Sequence, residues 1–192
     1  MLIRRTLART VLLTARWRVV GQVPKTGIMV GAPHTSNWDW VATMLMMWSR
    51  EVTPTILIKR ELFKGPMGWL LRATGGVPVD RDNASEVVSD LAANLTRDQT
   101  LVVAIAAEGT RTRSEYWKSG FYRLAQQTGL PVALGFIDGP TRTVGFGPTV
   151  EITGDVRADM DRIRAFYADK QGLRPEHRSE PRLREEDLGG RD

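Results

Sequence analysis

A chain of 192 residues is long enough to bury one substantial hydrophobic core unaided, so a single domain is expected. It contains no cysteine, which excludes a disulfide framework, a thiol nucleophile and any thiolate-held zinc or iron–sulfur centre. The formal charge of +5 is concentrated at the start, where residues 1–38 hold Arg4, Arg5, Arg9, Arg16, Arg18 and Lys25 and no acidic side chain.

In chain order, Ile3, Leu7, Val11 and Ala15 fall on one face of a helical projection, with Arg5, Arg9 and Arg16 opposite. That pattern fits a helix lying on a membrane surface, cations toward anionic headgroups, and equally a first helix packed on the protein's own core. No apolar run reaches 18 residues, so a membrane-spanning helix is not expected. Arg9 interrupts the apolar stretch and no small-residue cleavage site follows, so a secretory signal fits poorly.

After the polar turn Pro24–Gly27, the run Ile28–Ala32 reads as a buried strand and Trp40–Trp48 as an apolar helix. The alternation continues with strand Thr55–Ile58, helix Pro66–Ala73, strand Gly76–Val79, helix Ser85–Leu95, strand Thr100–Ala106, helix Phe121–Thr128 and strand Pro131–Ile137. Strands separated by single helices imply an α/β fold, a largely parallel sheet with helices on both faces. Arg142–Phe146 and Val150–Gly154 read as two antiparallel additions, and Met160–Ala168 has helical spacing. The domain is expected to span residues 1–172. Residues 173–192, charged and poor in apolar side chains, are expected to form a mobile tail.

His34 follows Pro33 at the end of a strand, and Asp39 comes five residues later at the start of a helix. A carboxylate beside one imidazole nitrogen fixes the tautomer and leaves the other nitrogen to take a proton from a hydroxyl. Ser36-x-x-Asp39 also matches a helix capping box, which would give Asp39 a structural role, and the two roles are compatible. Glu108-Gly109-Thr110-Arg111 and Asp80-Arg81 leave two further strands at the same sheet edge. Thr110, Arg111 and Arg81 offer a hydroxyl and planar cations suited to a phosphate, or else ordinary solvated side chains. Met44, Met46, Met47 and Trp48 could line an acyl tunnel but read more simply as core, and Trp69, Leu70 and Leu71 carry the same ambiguity. The other histidine, His177, adds no spaced carboxylate cluster, so no metal is expected. The basic stretch lacks the interleaved aromatics of a nucleic-acid platform, so no nucleic-acid partner is expected.

These residues resemble the glycerolipid acyltransferase family, the bacterial 1-acylglycerol-3-phosphate acyltransferases and their relatives. His34 and Asp39 match its His-x4-Asp signature, Ile58–Arg81 its second block, Glu108–Arg111 its Glu-Gly-Thr-Arg block, Lys118-Ser119-Gly120 its lysine–glycine element and Leu130-Pro131-Val132 its fourth block. The resemblance spans Ile28–Ile137. It implies His34 as general base, Asp39 as its orienting partner, and Arg81, Glu108, Gly109, Thr110 and Arg111 around the phosphate and glycerol of the acceptor. Lys59 and Lys118, inside the second block and the lysine–glycine element, would support them. The implied reaction moves an acyl group from acyl-CoA or acyl-carrier protein to a lysophospholipid hydroxyl, with no bound cofactor, by a peripheral protein on the cytoplasmic side of the cell membrane. The alternatives are acyltransfer or transacylation on another lipid hydroxyl, or a catalytically silent lipid-binding protein. Ala106 and Ala107 stand where the family usually has Phe-Pro, Gly135 where a second proline is usual, and Thr35 where arginine or glutamine is commoner. Together these departures resemble a compact subgroup and put the identity of the acceptor in doubt.

Overall fold

The computed structural model describes residues 2–80, 84–93 and 101–188. The strand expected at Ile28–Ala32 is β2, Thr26–Ala32. Its side chains alternate between two cores as the pleat requires. Ile28 and Val30 join one cluster, and Met29 joins the other on the opposite face. Helices must therefore cover both faces. On the first face lie α4 (Ala84–Ala93), α5 (Gly120–Thr128) and α6 (Val156–Tyr167), which contribute Val88, Phe121, Leu124, Ile163 and Tyr167. On the second, α1 (Leu2–Thr14) and α2 (Asn37–Ser49) supply Leu12, Met46 and Met47.

The other strands are β1 (Arg18–Val20), β3 (Ile56–Lys59), β4 (Gly76–Val79), β5 (Leu101–Ile105), β6 (Val132–Asp138) and β7 (Thr143–Val150). Five of them form a sheet in the order β1-β7-β6-β2-β5, with β2 parallel to both β5 and β6. β3 and β4 pair in parallel as a second, two-stranded sheet, tied to β5 through a bridge between Thr55 and Val103. The fold is thus mixed α/β, with a mostly parallel centre flanked by helices.

Two expectations need correction, and one strand has no counterpart among them. The two antiparallel strands expected beyond Arg142 are one strand, β7, which pairs antiparallel with β6; residues 151–153 have no regular structure. Pro148 has the pattern of a break, but the strand runs through it. β1, only three residues long and basic at its start, carries too little pattern to be found in the sequence. The tail expected to be mobile from residue 173 is packed against the domain as far as Leu188. It contains a short 3₁₀ turn at Pro175–His177 and the helical turn α7 (Glu185–Leu188), and it buries Leu183 completely. Composition is misleading here because hydrogen bonds and an ion pair from polar side chains such as Arg178 and Glu186 anchor the segment together with Leu183.

In α1 the faces divide differently from the projection. Ala8 and Leu12 pack inward, whereas Ile3 is 85% and Leu7 59% exposed. The arginines turn toward the protein: Arg5 pairs with Glu51 at 3.0 Å, and Arg9 donates to the Ser49 carbonyl at 3.3 Å. α3 (Gly65–Ala73) also leaves Met67, Trp69 and Leu70 exposed. Among the described residues no helix is long and apolar enough to cross a membrane.

Candidate active site

The chain leaves β2 at Ala32 and makes a short loop before α2 begins at Asn37, so the site opens at the carboxyl end of the central strand. The capping box forms as expected: Ser36 Oγ accepts from Trp38 N–H at 3.2 Å, and Ser36 N–H donates to Asp39 Oδ2 at 2.6 Å. Asp39 Oδ2 also accepts from Thr35 N–H at 2.5 Å and lies 3.9 Å from His34 Nδ1. The carboxylate that caps α2 is thus also the one beside the imidazole. The 3.9 Å separation is an ion-pair distance, about 1 Å beyond a hydrogen bond, as catalytic pairs often are before substrate binds. Asp39 Oδ1 is buried with no hydrogen-bond partner.

Glu108 makes a contact with the histidine loop that the sequence does not announce. Its side chain is fully buried, and its Oε1 accepts the backbone N–H of His34 at 2.7 Å. It holds the loop that carries the imidazole. The sequence could not show this contact, because a glutamate leaving a strand looks the same whether it faces solvent or a neighbouring loop. Gly109 takes a left-handed conformation (φ +66°), where an added Cβ would lie 2.8 Å from the Lys118 side chain. The left-handed backbone accounts for the glycine. Lys118 is exposed beside it. Thr110 is half-buried and bonds Thr112 Oγ1 at 3.1 Å.

Arg111 is exposed and reaches back to the His34 loop, where Nη1 donates to Asn37 Oδ1 at 2.5 Å. Sequence reasoning missed Asn37, although it lies within the His-x4-Asp run; its signal was position alone. Arg81 lies outside the described residues, as does the side chain of Lys59, whose backbone closes β3.

A cavity of about 450 Å³ adjoins the imidazole, within the range of small-molecule sites. Met29, Met46, Ala104 and Ile137 give it apolar walls, and His34 and Arg111 stand among its lining residues. Of the methionines on α2, Met46 lines this space, whereas Met44 and Met47 are core. Ala106 and Gly135, two of the positions that depart from the family pattern, also line it. Tyr167, whose hydroxyl lies 2.9 Å from the carbonyls of both Val30 and Gly135, fixes the strand ends beneath.

Burial, its largest influence, lowers the pKa of His34; Asp39 opposes the shift and Arg111 adds to it. Burial raises Asp39 and Glu108 from their ordinary values, against the hydrogen bonds they accept. A general base works in its neutral form, and a lowered pKa keeps that form populated to lower pH. The acid limb of kcat/KM is therefore expected below pH 6.5, with activity falling only as pH drops through that limb. A pH–rate profile measures it, and a midpoint above 6.5 would contradict the assignment.

Comparison with known proteins gives a concordant result. The sequence profile of the Acyltransferase family matches residues 16–133. No curated protein sequence matches the chain. Among solved structures, the fold is similar to the 1-acyl-sn-glycerophosphate (LPA) acyltransferase PlsC from Thermotoga maritima, with a TM-score of 0.55 and 17% identity. That match covers 83% of this chain and 73% of the other. With the family profile spanning more than half its length, the chain belongs to the Acyltransferase family.

Proposed function

We propose that the protein transfers a fatty acyl group from a thioester, acyl-CoA or acyl-carrier protein, to a hydroxyl of a phosphorylated lysolipid such as 1-acylglycerol-3-phosphate. The carrying observation is the half-buried His34 at an apolar cavity, with Asp39 beside its Nδ1 and Arg111 in the same lining. Nε2 takes the acceptor's hydroxyl proton as the oxygen attacks the thioester carbonyl. The tetrahedral intermediate then expels the thiolate, which recovers that proton from the imidazolium. No enzyme nucleophile is needed. The apolar walls suit an acyl chain and the guanidinium suits a phosphate, a pairing that favours a lysophospholipid over a neutral lipid alcohol.

Arg111→Ala is expected to lower kcat/KM for lysophosphatidic acid about tenfold or more, in line with the ~1.5–3 kcal/mol of a charge-assisted hydrogen bond, while a neutral monoacylglycerol changes little. Parallel kinetics on both acceptors measure this, and equal losses would sink the phosphate assignment. They would favour the alternative of a non-phosphorylated acceptor.

The same reading has the protein act peripherally, at the cytoplasmic face of the cell membrane. Support comes from the apolar stripe of α1, which the core leaves uncovered at Ile3 and Leu7. The basic side of the helix is engaged with α2 and its end, so contact through the apolar stripe is favoured over contact through the arginines. Leu7→Glu is expected to weaken co-sedimentation with phospholipid vesicles several-fold; unchanged binding would refute this mode of attachment.

A further inference from the structure

The segment 171–179 crosses the site in a way that the proposed reaction does not by itself require. Gln171 N–H donates to Asp138 Oδ1 at 3.1 Å, and Gly172 bridges Asp138 in parallel at the carboxyl end of β6. The chain then passes directly over the catalytic loop. Leu173 N–H and Arg174 N–H both donate to Thr35 Oγ1, at 3.1 and 3.0 Å. His177 Nδ1 lies 3.3 Å from the Thr35 carbonyl, and Ser179 Oγ accepts from Ser114 N–H at 3.0 Å. Ser179 also sits beside the buried Glu108, whose carboxylate holds His34 N–H. One strap thus touches both supports of the histidine loop.

Thr35 is 1% exposed, so its hydroxyl has no solvent to turn to. A hydroxyl has one proton and two acceptor positions. The strap's two N–H groups occupy both acceptor positions. The proton is left for Asp39 Oδ2, 3.3 Å away, the same oxygen that faces His34 Nδ1. We infer that Thr35 is a positioning residue: its hydroxyl relays the strap at 172–174 to Asp39 and so fixes the orientation of the dyad. Valine, isosteric but without the hydroxyl, would leave the two part-buried N–H groups of the strap and one carboxylate contact unmade. Gly172 offers a second lesion from the other side. It has φ +73°, and an added Cβ would lie 2.8 Å from Thr35 Oγ1 and 3.2 Å from Pro33 Cβ, so Gly172→Ala pushes the strap off the loop.

This inference rests on the His34–Asp39 reading, and the experiment separates the two. Steady-state kinetics with palmitoyl-CoA and lysophosphatidic acid are measured for Thr35→Val, Thr35→Ser, Gly172→Ala and His34→Ala, each scaled to folded protein by circular dichroism. Thr35→Val and Gly172→Ala are expected to lose about 10- to 100-fold in kcat, the scale of a misplaced catalytic group, with KM within about twofold, whereas Thr35→Ser retains most of the activity. Wild-type kcat in folded Thr35→Val overturns the inference, as does a Thr35→Ser as impaired as the valine. If Thr35→Val fails to fold, Gly172→Ala decides in its place: the expected loss in kcat supports the relay, and wild-type kcat overturns it. Full activity in His34→Ala would instead overturn the dyad reading, and the inference with it.

Discussion

Replacing His34 with alanine is expected to lower kcat about 10²- to 10⁴-fold, the usual contribution of a positioned general base. Folding should survive, because the link to Glu108 runs through the backbone N–H of residue 34 and not through the imidazole. The side chain is only partly buried, so little packing is lost. Thermal melting and turnover measured on the same preparation separate the two quantities. A variant that melts normally and still turns over would mean that His34 is an ordinary loop histidine and that the base lies elsewhere.

Asp39→Ala should show a double loss. Thr35 N–H and Ser36 N–H both point at the carboxylate, and Thr35 is buried, so removing the acceptor leaves buried donors unmade and opens the capping box of α2. Together these cost about 1–2 kcal/mol of stability. Turnover per folded molecule should fall by a further ~10²- to 10⁴-fold, because the imidazole loses the group that selects its tautomer and stabilises its cation. Denaturant melts combined with kcat corrected for the folded fraction resolve the two losses. A drop in stability with kcat intact would reduce Asp39 to a helix cap.

The alternation of short apolar runs with single helices is enough to find β2 through β6 and the layering around them, because a buried parallel strand must be nearly all apolar. The ends of the sheet are harder. β1 carries no such run, and β7 mixes glycine, proline and threonine across a strand that the pattern splits. His34 and Asp39 are legible since both halves of the constellation lie in one short stretch, the loop after β2 and the first turn of α2. Glu108 is legible as important but not in its role. Its partner is a backbone amide 74 positions away, and no sequence pattern records which backbone groups a folded loop presents. The same holds for the strap: Gln171, Leu173 and Arg174 act through main-chain N–H groups that any residue but proline carries.

Arg111 is the point where sequence and geometry converge on substrate. It is exposed, borders the cavity and lowers the pKa of His34, so a bound phosphate that neutralises it would ease the imidazole upward toward a better base.

The most direct measurement is release of free thiol from palmitoyl-CoA and from palmitoyl-acyl-carrier protein by the wild-type protein, with and without lysophosphatidic acid. Release that depends on the acceptor, matched by formation of phosphatidic acid, is the expected result. Acceptor-independent release, or none from either donor, would contradict acyl transfer to this lysophospholipid.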